Sequence, residues 1–294
     1  MKLRRCRAGG WPRHVPVGDV SLYVDVVGHG EPLVLMHGGP SADLWTMGAF
    51  RQCADEFTLV FYDHRCNGRS LGAPVSSMTW ENLTADADAL RRHLGLEKWA
   101  ILGHSFGGQV ALEYALRYPD RVSRLVLLDT GADSRWAREN APRLLAQRGF
   151  SPDKVELVRR WFHGDFTPRE YLPIFLQISG AYMSGSGWAP LARAMAAGGW
   201  RTRMRAEPLI FNGRQLSANW SVVDRLGEIG VPTLVMAGRD DFVFPPECQE
   251  ELAAGIRGSQ LVLIEHAGHS PHDEQPTEVI RALRAFLSQT AAAT

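Results

Sequence analysis

The stretch that most constrains the fold lies at residues 98–118, where the hydrophobic period changes from that of a strand to that of a helix. Residues 99–102 form an apolar run short enough for a buried strand, and apolar residues recur at helical spacing from Val110 onward. Between them, residues 103–107 read Gly-His-Ser-Phe-Gly and match the nucleophile-elbow pattern G-x-S-x-G in its strand-turn-helix context. Glycine suits so sharp a turn because it has no Cβ. We therefore expect Ser105 to project, in a strained conformation, at a helix N-terminus that favours developing negative charge.

Strand-like runs alternate with helical patterns along most of the chain. Residues 14–28 alternate between apolar and polar side chains and predict an antiparallel hairpin with one face in water. Further strands are predicted at residues 32–36, 57–62, 99–102, 124–128, 231–237 and 261–264. Helices are predicted at residues 79–93, after the elbow, at 246–256 and at 276–287. Buried strands that alternate with helices predict an α/β fold with a doubly wound, mostly parallel sheet.

The alternation stops between about Ser134 and Arg225, where helical patterns are interrupted by prolines and glycines. We predict a core formed by residues 14–133 and 226–290, with a helical cap inserted at residues 134–225. Aromatic residues and one methionine are concentrated in this cap: Trp136, Trp161, Phe162, Phe166, Tyr171, Phe175, Tyr182, Met183, Trp188, Trp200, Phe211 and Trp220. Most should form the core of the cap itself, and a few should line an apolar substrate site.

A serine hydroxyl becomes an effective nucleophile when a histidine takes its proton and a carboxylate holds that histidine. In elbow architectures the order along the chain is serine, acid, histidine. After the cap, one predicted strand leads into Gly238-Arg-Asp-Asp, and the next leads into Glu-His-Ala-Gly-His at residues 265–269. Both positions lie at carboxyl ends of strands, where ligands bind in open α/β sheets. We therefore predict Asp241 as the acid and His269 as the base.

Asp240 and His266 are the neighbouring alternatives. Successive side chains of an extended segment point apart, so Asp240 and Asp241 cannot both face one histidine. His266 lies within the exit of the strand, whereas His269 lies beyond it and has the longer reach.

The turn after residues 32–36 reads His-Gly-Gly-Pro, and it precedes the elbow in the chain. Stabilisation of an oxyanion requires two backbone N–H groups, which we assign to Gly39 and Phe106. Gly38, His104 and Phe242 are the predicted substrate-binding residues. His104 and His37 adjoin the site and are expected to be hydrogen-bonded parts of the scaffold rather than catalysts.

The composition excludes several classes of function. The chain has 294 residues, 45% hydrophobic and 22% charged, with a formal net charge of zero, so no basic excess favours nucleic acid or a membrane surface. Its four cysteines, Cys6, Cys53, Cys66 and Cys248, show no paired spacing and are expected to be free thiols. We find neither an apolar secretory segment near the N-terminus nor a spanning run of ~18 apolar residues. These features predict a cytoplasmic enzyme that acts on a small molecule without a cofactor or metal.

These motifs resemble those of the α/β-hydrolase superfamily from Val20 to Leu287. The resemblance implies an α/β-hydrolase fold with Ser105 as nucleophile, Asp241 (third after Gly238) as acid and His269 as base. Within the superfamily the chain looks most like the proline iminopeptidase branch, because of three motifs: His37-Gly-Gly-Pro, Asp63-His-Arg followed by Gly68-Arg-Ser, and Trp220-Ser-Val-Val-Asp. Cys66 stands where that branch usually has glycine.

Peptidases of this branch hold the free amine of the substrate with glutamates in the cap and directly after the catalytic acid. The resemblance implies that the same positions of this chain would bind such an amine. Here the expected positions hold Gln215 and Phe242, and a buried cation without a counter-charge is unfavourable. Other cap acids, such as Glu139, Glu170 or Glu207, could substitute. The sequence therefore predicts a serine hydrolase that cleaves a small, largely apolar carboxylic ester through an acyl-enzyme intermediate. A proline iminopeptidase-like enzyme and a C–C bond hydrolase with a cationic subsite in the cap are the alternatives, whereas a non-catalytic receptor would predict an incomplete triad.

Overall fold

The computed structural model describes residues 11–185 and 188–289, which are organised around an eight-stranded sheet. Cys6 and the side chain of Trp188 lie outside this description. The strands are β1 (Arg13–Val17), β2 (Val20–Gly28), β3 (Glu31–Met36), β4 (Phe57–Tyr62), β5 (Trp99–His104), β6 (Val122–Leu128), β7 (Thr233–Gly238) and β8 (Gln260–Ile264). Their spatial order is β1-β2-β4-β3-β5-β6-β7-β8.

The sheet is antiparallel at one edge and parallel elsewhere. β1 and β2 form the predicted hairpin, with Val17 opposite Val20, and β2 also pairs antiparallel with β4. All pairs from β4 to β8 are parallel. The predicted α/β-hydrolase fold with a mostly parallel, doubly wound sheet is confirmed, and the carboxyl ends of the parallel strands meet at one edge.

Helices cover both faces of the sheet. Outside the segment between β6 and β7, they are α1 (Trp80–His93), α2 (Phe106–Arg117), α8 (Pro246–Gly255), α9 (Pro271–Glu274) and α10 (Pro276–Leu287). Side chains of β5 alternate between the faces: Ile101 packs in the core with α1 and α2, whereas Leu102 packs in the core with α10. Burial on both faces explains why these strands are continuous apolar runs in the sequence.

Local signals set the helix boundaries. The side chain of Thr79 accepts the backbone N–H of Asn82 and caps α1, whose buried face includes Leu83, Ala87 and Leu90. α10 begins at Pro276, a residue favoured in the first turn of a helix.

A helical segment at Leu44–Cys53 was not predicted. Buried residues occur on all its sides, among them Trp45, Met47 and Phe50, so no apolar stripe is visible in the sequence. Its N-cap is Asp43, whose carboxylate accepts the N–H of Trp45.

The described residues between β6 and β7 form helices and no further strand of the sheet. The α-helices are α3 (Ala141–Gln147), α4 (Pro152–His163), α5 (Tyr171–Ile178), α6 (Trp188–Ala196) and α7 (Ala206–Phe211). The ends of the segment lie side by side, because Ser134 donates its N–H to the carbonyl of Trp220 (3.0 Å) and Val222 donates to Ala132 (2.8 Å). The division into a core and a cap at residues 134–225 stays a prediction, which this pairing supports.

Three cysteines, Cys53, Cys66 and Cys248, are buried free thiols. None of the described helices has both the length and the apolar character needed to cross a bilayer.

Candidate active site

Ser105 occupies the turn between β5 and α2. Its φ of 53° and ψ of −120° lie in a backbone region that residues other than glycine rarely adopt. The neighbouring glycines are required by packing. A Cβ on Gly103 would lie 2.4 Å from the carbonyl oxygen of Gly107, and a Cβ on Gly107 would lie 2.0 Å from that of Met36. The G-x-S-x-G pattern is therefore a consequence of the close approach of β5, α2 and β3.

Ser105, His269 and Asp241 form one hydrogen-bonded chain. His269 Nε2 lies 3.0 Å from Ser105 Oγ, and its Nδ1 lies 2.8 Å from Asp241 Oδ2. Asp241 is completely buried and His269 is 6% exposed. With Asp241 ionised, Nδ1–H donates to the carboxylate, which leaves Nε2 as an acceptor for the hydroxyl of Ser105.

The backbone of His269 is held from both sides. Its N–H donates to the carbonyl of Tyr182 (2.7 Å), which belongs to the segment between β6 and β7. Its carbonyl accepts Nε2–H of His104 (2.8 Å). The imidazole is therefore positioned by the elbow and by the inserted segment as well as by Asp241.

The two neighbouring alternatives are directed elsewhere. The carboxylate of Asp240 accepts a hydrogen bond from Ser184 Oγ. His266 is exposed. Of the two adjacent aspartates, Asp241 alone bonds to His269 among the described contacts.

The second turn of the site carries Gly39, which has a φ of 50°. Gly39 and Phe106 both line a cavity beside Ser105. Gly38 lies against the elbow, because a Cβ on it would be 2.6 Å from His104 Nδ1 and 3.0 Å from the Cβ of Ser105. Gly38 and His104 also line this cavity, and their contact with a substrate stays a prediction.

The cavity above Ser105 has a volume of about 500 Å³ and is mostly apolar. Five aromatic residues of the inserted segment line it: Trp161, Phe162, Tyr171, Phe175 and Tyr182. Leu191, Met195 and Met204 also line it and are partly exposed to solvent. The size and lining suit a small ligand with apolar groups.

Phe242 does not line the cavity, contrary to the sequence prediction. Val243 donates its N–H to Asp241 Oδ1 (2.8 Å), so the chain turns at Phe242. The ring of Phe242 is fully buried against Tyr182, with the ring centroids 5.1 Å apart. Val243 and Phe244 line the cavity instead.

The expected polar position in the inserted segment is also corrected. Gln215 is exposed and lies outside the cavity lining, whereas the neutral residues Asn212 and Ser217 line it. Glu139 and Glu207 are exposed as well. None of the acids of the segment that were considered as amine ligands lies in the lining; Glu170 instead pairs with Arg160 at 2.6 Å.

Two charged side chains that the sequence did not single out line the cavity. Asp273 follows His269 by four residues; burial raises the pKa of its carboxyl, and His272 and Arg193 oppose the shift. Arg138 donates through Nη1 to the carbonyls of Phe162 (3.3 Å) and Gly213 (2.6 Å). Asp273 is the one carboxylate of the described lining and Arg138 is its one guanidinium.

Several titratable groups under the site are buried. Burial lowers the pKa of His37 to about 4 and holds that of His104 well below its usual range, so both rings are neutral. Asp129 follows β6 and is completely buried; burial first, and the nearby Asp241 second, raise the pKa of its carboxyl. Asp129 could have been suspected from the sequence, because it lies directly after a predicted strand.

Asp129, Asp241 and His269 are also the described residues that come closest to a metal-binding arrangement, with potential ligand atoms within 4.8 Å of one another. However, His269 Nδ1 and Asp241 are bonded to each other. We therefore treat the group as a hydrogen-bonding network.

The fold and the site define a class of hydrolase in which a serine lies at a strand-to-helix elbow. The sequence profile described as alpha/beta hydrolase fold matches residues 31–276, and the chain belongs to this family. It is 30% identical to proline iminopeptidase PfmaB of Pestalotiopsis fici, over 88% of this chain and 92% of that protein. This similarity supports the branch predicted from the sequence motifs.

Other relatives differ in their named activity. The chain is 30% identical to a putative carbamate hydrolase RutD of Agrobacterium fabrum, over 87% of this chain and 93% of that protein. A solved structure of a thermophilic esterase from Thermogutta terrifontis, in a malate-bound form, superposes with a TM-score of 0.66 and 27% identity, covering 91% of this chain and 93% of that chain. What these comparisons have in common is that they identify the chain as a hydrolase of the α/β-hydrolase family.

Proposed function

We propose that this protein is a serine hydrolase that cleaves a small, largely apolar carboxylic ester through an acyl-enzyme intermediate. The observation that carries the proposal is the hydrogen-bonded chain from Asp241 through His269 to Ser105, which opens onto an apolar cavity of about 500 Å³. The similarity to a solved esterase agrees with it.

In the proposed acylation step, Ser105 Oγ attacks the ester carbonyl carbon while His269 Nε2 takes the hydroxyl proton. Asp241 stabilises the imidazolium that forms, because it is buried and accepts Nδ1–H. His269 then gives the proton to the alkoxide leaving group as the C–O bond breaks. A water molecule repeats the sequence on the acyl-enzyme and releases the carboxylic acid.

The tetrahedral intermediate carries a negative oxygen, which we assign to the backbone N–H groups of Gly39 and Phe106. Both residues line the cavity next to Ser105, and Phe106 begins α2, whose N-terminus favours negative charge. Each such donor is worth roughly 3 kcal/mol of transition-state stabilisation.

A proline iminopeptidase-like activity is the second candidate, and Asp273 is the observation that favours it. This carboxyl lies in the cavity wall, where it could face the amine of a substrate. Its raised pKa weakens it as a counter-charge, because burial favours the neutral acid. A C–C bond hydrolase would need a cation for a substrate carboxylate, and the guanidinium available in the lining, Arg138, already donates through Nη1 to two backbone carbonyls.

The proposal is tested by labelling and turnover. Wild-type enzyme should react with a fluorophosphonate probe and hydrolyse p-nitrophenyl butyrate. Ser105→Ala should lose both activities but keep the thermal unfolding temperature of the wild type. Ser288→Ala, an exposed serine after α10, is the matched control and should behave as wild type. Labelling of Ser105→Ala at the wild-type rate would contradict the assignment of the nucleophile.

A further inference from the structure

We propose that Asp129 is a second buried acid of this active site, which shares a proton with Asp241 and can replace it in positioning His269. This inference rests on the proposed serine-hydrolase mechanism. It concerns a residue that takes no part in the hydrogen-bonded chain described above.

Asp129 and Asp241 meet because they follow neighbouring strands. Asp129 comes directly after β6 and Asp241 lies three residues beyond the end of β7, which pairs with β6. Asp129 is held in place by its N–H, which donates to the carbonyl of Met236 (2.9 Å), and by Oδ1, which accepts the N–H of Gly238 (2.9 Å).

The backbone of Asp129 is unusual. Its φ is 45°, a left-handed conformation that is uncommon for residues other than glycine. This conformation accompanies a side chain that is completely buried. Strained non-glycine residues are often found at functional sites.

One carboxyl oxygen of Asp129, Oδ2, is buried and has no hydrogen-bond partner among the described residues. An oxygen of Asp129, an oxygen of Asp241 and a ring nitrogen of His269 all lie within 4.8 Å of one another. The partnerless oxygen therefore belongs to a carboxyl that is near both Asp241 and the imidazole.

Charge balance requires a proton in this group. Within the described residues, no arginine or lysine lies within 4.0 Å of either carboxylate, and the one ion-pair partner of Asp241 is His269. Glu274 acts on Asp129, and Asp241 in turn acts on Tyr182 and Cys248; none of these three residues is a cation. Burial first, and the like charge of Asp241 second, raise the pKa of the Asp129 carboxyl, which favours a proton within this group.

The hydrogen bonds place this proton on Asp129. Asp241 already accepts the N–H of Val243 and Nδ1–H of His269, and both bonds favour its ionised form. Protonated Asp129 then has a donor for the carboxylate of Asp241. If Asp241 becomes a neutral amide, the like charge that keeps Asp129 protonated is gone, and Asp129 can ionise beside His269.

A double-mutant cycle tests this, with the rate of fluorophosphonate labelling as the readout, because labelling does not depend on the identity of the ester. We expect Asp129→Asn to slow labelling by less than about tenfold when Asp241 is present, but by about a hundredfold or more in an Asp241→Asn background. Residual activity of Asp241→Asn should also decline at acidic pH, where Asp129 is protonated. A merely structural aspartate would have the same effect in both backgrounds.

Asp240→Asn is the matched control, because it removes the same charge from an acid that is directed towards Ser184. Added to Asp241→Asn, it should change labelling by less than about twofold. Asparagine is nearly isosteric with aspartate and tolerates the positive φ of residue 129. If Asp129→Asn does not fold, Asp129→Gly replaces it in the cycle, because glycine adopts the same backbone conformation. Equal effects of the Asp129 variant in both backgrounds would overturn the inference, whereas absence of labelling in the wild type would overturn the proposed function itself.

Discussion

His104 Nε2 donates a hydrogen bond to the carbonyl of His269, with the two atoms 2.8 Å apart. His104 is the residue before Ser105, so the elbow that presents the proposed nucleophile also holds the backbone of the proposed base. The ring of His104 is neutral, because burial keeps its pKa well below the usual range. Its part in the site is therefore positional.

We expect His104→Ala to lower kcat about tenfold, because a lost hydrogen bond to a buried carbonyl costs about 1–3 kcal/mol and loosens His269. His104→Gln, whose amide can donate to the same carbonyl, should recover part of this loss. The measurement is kcat for p-nitrophenyl butyrate, and His266→Ala, in the loop after β8 that also carries His269, is the control. A His266→Ala defect larger than that of His104→Ala would show that His266 acts in the reaction.

The second prediction separates the adjacent acids. Asp241→Asn should lower kcat by about three to four orders of magnitude, because the amide favours the wrong tautomer of His269 and Asp129 restores only part of the lost activity. Asp240→Asn should change kcat less than about tenfold, because the carboxylate of Asp240 faces Ser184. Steady-state kinetics of the two variants checks the ranking, and the reverse order would move the acid to Asp240.

The main elements of the fold could be predicted because each carries a local signal. The strand Phe57–Tyr62 and the helix Pro276–Leu287 have the predicted limits, since one is a continuous apolar run and the other is amphipathic and starts at a proline. The helical segment Leu44–Cys53 could not be predicted, because it is buried around its circumference. The antiparallel pairing of β2 with β4 joins strands distant in sequence and has no local signal.

The candidate site was predicted unevenly for a similar reason. Ser105, Asp241 and His269 lie at strand ends in a fixed order, which the sequence displays. The direction of Phe242 depends on the turn made by Asp241 and Val243, and the exposure of Gln215 depends on how the inserted segment packs. Asp129 lies at a strand end as well, but its proposed role depends on its proximity to Asp241, which the sequence does not display.

The third prediction concerns acid stability and follows from His37. Its Nδ1–H donates to the carbonyl of Gly38 (2.9 Å), and its Nε2 accepts the N–H of His64 (3.1 Å). Burial lowers the pKa of this ring to about 4, although the bond to Gly38 opposes the shift. Below the ordinary pKa of about 6.5 the unfolded chain takes up a proton that native His37 does not, so this group disfavours folding as the pH falls.

We therefore compare the free energies of unfolding of the wild type and of His37→Gln. As the pH is lowered from about 6.5 to about 4, the value of the wild type should fall relative to that of the variant by about 1.4 kcal/mol per pH unit. Urea denaturation of both proteins across this range is the measurement. Raised pKa values of buried acids such as Asp63 act in the opposite direction, but they are present in both proteins and cancel in the difference. A difference that stays constant with pH would show that native His37 takes up a proton as readily as His37 of the unfolded chain.

The last prediction concerns the bond that is cleaved. The similarity to proline iminopeptidases favours an amide with a free N-terminal amine, and such an amine needs a carboxylate when it is buried. Asp273 is the carboxylate of the described lining, and burial raises its pKa. The rest of the wall is largely aromatic and suits a neutral acyl or aryl group. Esters also have better leaving groups than amides.

We therefore expect kcat/KM for p-nitrophenyl butyrate to exceed that for proline p-nitroanilide by about a hundredfold or more, which corresponds to about 3 kcal/mol. Asp273→Asn should not reverse this order. The opposite result would be a higher kcat/KM for the proline amide that is lost in Asp273→Asn. It would identify Asp273 as the amine ligand and the protein as a peptidase, because only a substrate with a cationic amine gains from that carboxylate. Glu207→Gln, an exposed acid outside the cavity lining, is the control that separates this effect from a general loss of negative charge.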